Sequence, residues 1–207
     1  MQQSLNPWIT SPTADISEGE TPDTYLPPAA VISAPLKGMV EPDAADRLAR
    51  RTMSGSAALW IIGAHGGAGE SRVADLLGAR ATDHCWPVLQ DGGTPRVLLV
   101  CRADIRGLTA ARSALTQWVS GATPKADLLG LAILADAPGK TPKALRDFAA
   151  IIGGGAPRRW TLPWVEAWRH GDATTPPTAR EYQRFITDLA ALASDTTPRT
   201  THWKVSP

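Results

Sequence analysis

A glycine-rich segment carries the residue types that could bind a phosphate group. It reads GAHGGAGES over residues 63–71, and it follows an apolar run at residues 58–62. A glycine-rich turn between a strand and a helix exposes consecutive backbone N–H groups, and the helix dipole adds positive potential at that point. We therefore expect the backbone of residues 63–71 to form a phosphate cradle.

The charged anchor of such a cradle is missing from this sequence. In a working phosphate-binding loop a lysine follows the last glycine and reaches the phosphates, and the next Ser or Thr holds Mg²⁺. Here Glu70 stands at the lysine position and Ser71 follows it. A charge contact at ~4 Å is worth about 4 kcal/mol at an effective dielectric constant near 20, so this exchange replaces an attraction by a repulsion. The sequence therefore predicts that efficient ATP hydrolysis is absent.

Apolar runs alternate with amphipathic stretches from residue 57 onward. Such runs predict strands at residues 57–62, 83–89, 96–101, 128–135 and 159–162. Helical periodicity and stop signals predict helices at residues 70–79, 104–120, 142–152 (with Thr141 as the N-cap) and 178–193. Alternating strands and helices predict a three-layer α/β domain with an open, mostly parallel sheet flanked by helices.

Residues 1–54 differ in composition from the rest of the chain. They contain seven prolines and little periodicity, so we expect a mostly disordered Pro-rich tail. Two islands could become ordered: the apolar motif at residues 6–9, and residues 44–53, which could form one or two helical turns. We expect the folded domain to span residues 55–195 and a loose tail to follow at residues 196–207.

The overall composition excludes several classes of protein. The formal net charge is +1 and there is no basic stripe, so direct DNA binding is not expected. Cys85 and Cys101 lack metal-ligand spacing and are expected to be free thiols. We assign no metal site and no catalytic residue. No apolar stretch is long enough to span a bilayer, which predicts a soluble cytoplasmic protein.

Several acidic and aromatic residues outside the loop each allow two interpretations. Asp104 follows a predicted strand and could face a magnesium ion or cap the next helix. Asp136 lies at the carboxyl end of another strand, where it could contact a base or form a turn. Trp160, Trp164 and Trp168 could fill the core or form an exposed surface for a partner protein.

Four sequence blocks in order resemble an uncharacterised actinobacterial P-loop-like family associated with conjugative and integrative elements. The blocks lie at residues 63–71, 98–118, 128–147 and 158–171. That family is similar to a shrunken partition ATPase of the ParA/MinD type. The resemblance covers residues 57–171, and its specificity comes from the order of the blocks, since a single glycine-rich loop is a weak signal.

The resemblance implies roles for individual positions. It makes Gly66, Gly67, Gly69 and Ser71 the remnant of a phosphate loop whose ligand would be ATP with Mg²⁺. His65 and Glu70 stand where partition-type ATPases carry two lysines. Asp136 falls where those enzymes often place an Asn that contacts adenine, and Pro163 falls in their turn beside the base. No predicted strand ends in the motif that supplies their second metal-side carboxylate.

Three functions are compatible with these observations. The first is a non-hydrolysing, P-loop-derived adaptor of a conjugation or partition-like system, which contacts a protein partner through its tail and its Trp-rich surface. The second is a nucleotide-binding, weakly hydrolysing ParA-like ATPase, in which a homodimer partner could supply an arginine. The third is an enzyme that binds another phosphorylated ligand at the glycine-rich loop.

Overall fold

The computed structural model describes Leu36, residues 38–171 and residues 177–194. The strands are β1 (Ala49–Met53), β2 (Trp60–Gly63), β3 (Arg80–Ala81), β4 (Cys85–Leu89), β5 (Arg96–Arg102), β6 (Asp127–Leu134) and β7 (Arg159–Leu162). The helices are α1 (Glu70–Leu77), α2 (Ile105–Val119), α3 (Lys143–Gly153), α4 (Glu166–Arg169) and α5 (Arg180–Ser194), and a 3-10 turn lies at Ala44–Asp46.

A five-stranded parallel sheet forms the centre of the fold, in the order β3-β2-β5-β6-β7. The predicted α/β class is therefore confirmed. The chain runs from β2 to the edge strand β3 and then returns to β5 on the other side of β2. In open α/β sheets, ligands bind outside the carboxyl ends of the strands at such a reversal. This places the ends of β2 and β5 at the position where a ligand site is expected.

Helices cover both faces of the sheet. On one face α2 and α3 contribute Leu108, Leu115, Trp118 and Ile152 to the core, and on the other face α1 and α5 contribute Val73, Tyr182, Phe185 and Leu189. The central strands are apolar except at Arg96 and Arg102 of β5 and Asp127 of β6, because both of their faces are buried between these ends. Within the described ranges, no helix combines the length and the apolar character needed to cross a membrane.

A second, two-stranded sheet differs from the sequence expectation. Residues 49–53 lie in the segment expected to be disordered or helical, but they form strand β1, which pairs in parallel with β4 from Ala49↔Cys85 to Met53↔Leu89. Only the 3-10 turn just before it is helical. Four of the five β1 residues are exposed, and only Met53 enters the core. The sequence of β1 therefore lacks the apolar pattern that would have predicted a strand.

A buried glutamine of helix α2 holds β1 against the domain. Gln117 Oε1 accepts hydrogen bonds from Leu48 N and from Trp86 Nε1, both at 3.0 Å, and Gln117 Nε2 donates to Leu48 O at 3.1 Å. The Gln117 side chain thus satisfies both backbone groups of the residue before β1. This contact extends the folded part of the chain to residues before 55.

Two helix ends differ from the expectation for local reasons. Helix α1 ends at Leu77 because Gly78 adopts the left-handed conformation with φ 60°, a common helix stop. Pro142 occupies the N-cap position of α3, so Thr141 is not the N-cap. The island expected at residues 6–9 and the tail expected at residues 196–207 lie outside the described residues.

Candidate functional site

The glycine-rich loop at residues 63–71 connects β2 to α1, as the sequence predicts. Gly67 and Gly69 have φ angles of 83° and 94°, which L side chains rarely adopt. A Cβ atom at Gly69 would also lie 2.7 Å from Leu134 Cδ2. Ala68 N donates to His65 O at 3.1 Å and closes the turn. Glycine is therefore required at two of the expected loop positions.

The loop presents unused backbone donors at its mouth. Among the described residues, the N–H groups of Gly66, Gly67, Gly69, Glu70 and Ser71 donate to no acceptor. Gly66, Gly67 and Ser71 are exposed, and α1 begins immediately after the loop. These N–H groups are the donors from which the sequence predicts a phosphate cradle.

The side chain of Glu70 lies on the inner side of the loop, with 4% of its surface exposed. Its Oε1 accepts hydrogen bonds from Thr82 N at 2.7 Å and from Thr82 Oγ1 at 3.2 Å. Its Oε2 accepts from His84 N at 3.2 Å and lies 3.0 Å from His84 Nδ1. The carboxylate therefore binds the connection between β3 and β4, and it does not stand at the exposed mouth of the loop, where it would repel a phosphate.

The connection that Glu70 holds has an unfavourable backbone conformation. Asp83 and His84 have φ angles of 53° and 59°, in the left-handed region where non-glycine residues are uncommon. Such residues persist only where the surrounding structure holds them. Gly63 allows the close approach, since a Cβ atom there would lie 2.5 Å from His84 Nδ1 and 2.8 Å from Glu70 Oε2.

His65 links the loop to β5 rather than facing a ligand as a cation. Its Nε2 accepts a hydrogen bond from Arg102 N at 3.2 Å, which places the ring proton on Nδ1. Nδ1 lies 2.9 Å from Gly66 O and donates to it. Both ring nitrogens of the neutral imidazole are therefore used in holding the loop.

Arg102, the last residue of β5, is the cation beside the loop, and the sequence analysis missed it. Its Nε donates to Gly67 O at 3.2 Å and its Nη1 donates to Ala135 O at 2.9 Å. The feature of the sequence that could have indicated this residue is an arginine directly after the predicted strand at residues 96–101. A neighbouring strand, and not the loop itself, supplies this positive charge.

A cleft of about 330 Å³ opens between the loop and the ends of the strands. We call it the arginine cleft; its walls include Arg102, Arg106, Arg169, His65, Gly66 and Gly67, together with Asp104, Asp136 and Trp164. Asp136 is exposed in it. Asp104 caps α2, since its Oδ1 accepts from Gly107 N at 2.6 Å, so the capping interpretation is confirmed. Across the described ranges, no group of three or more His, Cys, Asp or Glu residues is arranged to hold a metal.

A second cavity of about 230 Å³ adjoins the arginine cleft. We call it the aromatic cavity; Pro163, Trp164, Trp168, Tyr182 and Leu134 line it, together with Arg72, Arg102 and Arg169. Tyr182 Oη donates to Pro163 O at 3.1 Å, and burial raises the pKa of Tyr182 to about 12, against the opposing effect of Arg102. The two cavities share Arg102, Trp164 and Arg169. Pro163 and Trp164, expected beside a base, therefore border a concave surface.

The three tryptophans of the expected partner surface do not share one environment. Trp160 is buried, packs edge-to-face on Phe185 at 5.4 Å and donates from Nε1 to Asp188 Oδ2 at 3.2 Å. Trp160 therefore belongs to the core, and its expected place in an exposed surface was wrong. Trp164 and Trp168 are half-buried, and they form walls of the aromatic cavity. Cys85 and Cys101 are free thiols, as expected, and both are buried.

Comparisons with known proteins identify a family but not an activity. Neither the curated proteins nor the solved structures with which the chain was compared contain a match. A family model matches residues 57–186, a range that includes the glycine-rich loop and the arginines of the cleft. Since this range is more than half of the chain, the protein belongs to a family of unknown function (DUF6668).

Proposed function

We propose that this protein is a non-hydrolysing, P-loop-derived accessory protein that acts through contacts with another protein. The resemblance of its sequence blocks to a mobile-element family supports a partner in a conjugation or partition-like system. The position of Glu70 carries the proposal, because this residue replaces the lysine on which hydrolysis by such loops depends.

The contacts of Glu70 give its carboxylate a structural role. Two backbone N–H groups and one hydroxyl donate to it, and they belong to Thr82 and His84 on another segment. A lysine has no acceptor to offer these groups. The fold around the loop is therefore built for a glutamate, which supports a loop that no longer performs catalysis.

The carboxylate that the sequence offered as a possible magnesium ligand is also engaged elsewhere. Asp104 accepts a 2.6 Å hydrogen bond from Gly107 N at the start of α2. Capping bonds of this kind typically contribute about 1 kcal/mol to the stability of a helix. Coordination of a magnesium ion by Asp104 would compete with this bond. This competition disfavours a catalytic magnesium site and therefore supports the proposal.

Phosphate release from Mg²⁺-ATP by the full chain tests the catalytic half of the proposal. The expected rate is that of a protein-free blank, for the wild type and for Glu70→Lys alike, because the lysine would have to displace a built-in contact. Turnover that requires Mg²⁺ and is abolished by Ser71→Ala would contradict the proposal and favour a slow ATPase.

Cross-linking of the tagged full chain in its own cells tests the partner half. The expected product contains this chain and one component of a DNA-transfer or partition apparatus. Recovery of cross-links only between copies of this chain would count against an accessory role of this kind.

A further inference from the structure

We propose that the arginine cleft and the aromatic cavity together bind a small organic phosphate that carries a planar group. In this site the guanidinium groups of Arg102, Arg106 and Arg169 hold the phosphate. These three side chains, which lie outside the loop, take the place of the lysine that the loop lacks. The inference goes beyond the proposed function, since a ligand can bind whether or not it is hydrolysed.

The charges of the cleft support an anionic ligand. Arg106 and Arg169 are exposed, and within the described part of the chain neither has a hydrogen bond or an ion pair. The side chain of Arg102 donates only to the carbonyl oxygens of Gly67 and Ala135, so no carboxylate neutralises its charge. Three guanidinium groups therefore line one cleft, and none of them has an ion pair among the described residues. The carboxylates of Asp104, which caps α2, and Asp136 line the same cleft, so the three arginines leave an excess of one positive charge.

The chemistry of these groups favours phosphate over a carboxylate. A guanidinium group binds phosphate oxygens with two parallel hydrogen bonds. The cleft offers three such groups, and Gly66 and Gly67, whose N–H groups have no acceptor among the described residues, line the same space. A carboxylate has two oxygens and one charge, which would leave most of these donors unused. A phosphate or diphosphate group can engage them together.

The adjoining cavity indicates what else the ligand carries. Trp164 and Arg169 belong to the walls of both cavities, and the Arg169 guanidinium lies 5.9 Å from the centre of the Trp164 ring. Trp168 and Tyr182 pack edge-to-face at 5.5 Å behind them. Small-molecule sites are usually apolar and aromatic clefts with a few polar groups that fix the ligand. A planar ring attached to the phosphate would lie against these aromatic side chains.

Calorimetric titration of the full chain with three probes tests this site. Inorganic pyrophosphate presents the anion alone, adenosine presents a planar ring alone, and ADP presents both. We expect pyrophosphate to bind, ADP to bind more tightly, and adenosine to bind far more weakly than ADP. Equal affinity for adenosine and ADP would overturn the assignment of the phosphate position.

Arginine variants test which side chains hold the anion. Arg106→Ala and Arg169→Ala remove exposed side chains, so both variants should fold, and each should weaken ADP binding by about tenfold or more. Arg102→Lys should retain more affinity than Arg102→Ala. The matched control is Arg112→Ala, an exposed arginine of α2 outside both cavities, which should bind ADP like the wild type.

The outcomes separate this inference from the proposed function. The absence of binding of pyrophosphate and ADP at about 1 mM would overturn the inference and leave the non-hydrolysing role intact. Binding that Arg106→Ala and Arg169→Ala do not change would also overturn it. Binding of ADP together with Mg²⁺-dependent ATP turnover would support the site and contradict the proposed function.

Discussion

At the scale of single residues, Glu70 joins the start of α1 to the connection between β3 and β4. A buried carboxylate is tolerated only where hydrogen bonds compensate for its lost hydration. Thr82 and His84 supply those bonds. Without the carboxylate, Thr82 Oγ1 and His84 N would lose their acceptor among the described residues, whereas Thr82 N would keep its bond to Ile61 O at 3.0 Å. The same contact holds Asp83 and His84 in their left-handed conformation.

Substitution of Gly63 tests how closely this contact is packed. The Cβ atom of Gly63→Ala would lie 2.5 Å from His84 Nδ1 and 2.8 Å from Glu70 Oε2, so the half-buried His84 ring and the buried Glu70 carboxylate would have to move. We expect the free energy of unfolding to fall by about 1–3 kcal/mol, as for other overpacked sites. Urea denaturation measures the change. Gly66→Ala is the control, since its Cβ would meet open space; equal losses in both variants would contradict the account.

The buried thiol of Cys101 predicts a loss of stability in alkali. Burial, reinforced by the negative charge of Asp104, raises the pKa of Cys101 from 9.0 to about 12. The folded state therefore favours the protonated thiol, and its contribution to stability is complete below about pH 9 and declines as the pH rises towards 12. Burial of Tyr182 acts in the same direction above its ordinary pKa of 10.0.

Unfolding curves between about pH 8 and pH 11 measure this dependence. We expect the free energy of unfolding to fall with rising pH, and to fall less steeply in Cys101→Ala. The native thiol should also react slowly with iodoacetamide near pH 8, because the thiolate is the reactive form. An identical pH dependence in wild type and variant would show that Cys101 does not contribute.

At the scale of elements, strand β1 is stabilised by contacts with distant residues, which its own sequence does not predict. It pairs with β4, and Gln117 of α2 binds both backbone groups of Leu48 as well as Trp86 Nε1. Gln117 is only 2% exposed, so these bonds form away from water. A single side chain of α2 thus completes the attachment of the first strand.

Replacement of Gln117 tests this attachment. Gln117→Leu retains the approximate size of the side chain but leaves three polar groups without a partner. We expect the free energy of unfolding to fall by about 2–4 kcal/mol, since each buried unsatisfied group costs about 1–3 kcal/mol and water would satisfy some of them. Gln90→Leu, at an exposed position after β4, is the control and should change stability by less than about 0.5 kcal/mol.

Truncation tests whether β1 belongs to the folded domain. A chain that begins at residue 55 lacks β1 and the core residue Met53, and it leaves β4 and Trp86 without their neighbour. A chain that begins at Leu36 retains these contacts. We expect the shorter chain to unfold at a temperature several degrees lower in circular dichroism. Equal melting temperatures would contradict the role given to β1.

The sequence predicted the central strands well because their burial leaves a readable pattern. Apolar runs located β2, β5 and β6 to within a few residues, and glycine and proline marked most helix ends. The short strand β7 was also predicted at its observed bounds, although its sequence RWTL is not a continuous apolar run. Strand β1, with the sequence ARRTM, has no such pattern, since distant contacts at Gln117 and β4 stabilise it. The direction of the Glu70 side chain was equally unpredictable, because its partners lie twelve and fourteen residues away.

At the scale of the whole molecule, the parallel sheet brings separate segments to one edge. The ends of β2, β5 and β6 lie side by side, as the pairs Gly63↔Val100 and Arg102↔Leu134 show. This arrangement gathers Arg102, Arg106 and Arg169 around the glycine-rich loop, although they are far apart in sequence. A molecule with a formal net charge of only +1 thus gathers three arginines, together with Asp104 and Asp136, in one cleft, which its composition did not reveal.

The central claim is that the glutamate at the lysine position serves the fold and not catalysis. The most direct test is the free energy of unfolding of Glu70→Lys, with Glu70→Gln as the milder change and Glu181→Lys, at an exposed position of α5, as the control. We expect a loss of about 3 kcal/mol or more for Glu70→Lys and a smaller loss for Glu70→Gln. The control should lose no more than about 1 kcal/mol, because Glu181 lies in the first turn of α5, where the helix dipole favours a carboxylate. A Glu70→Lys protein as stable as the wild type would contradict the central claim.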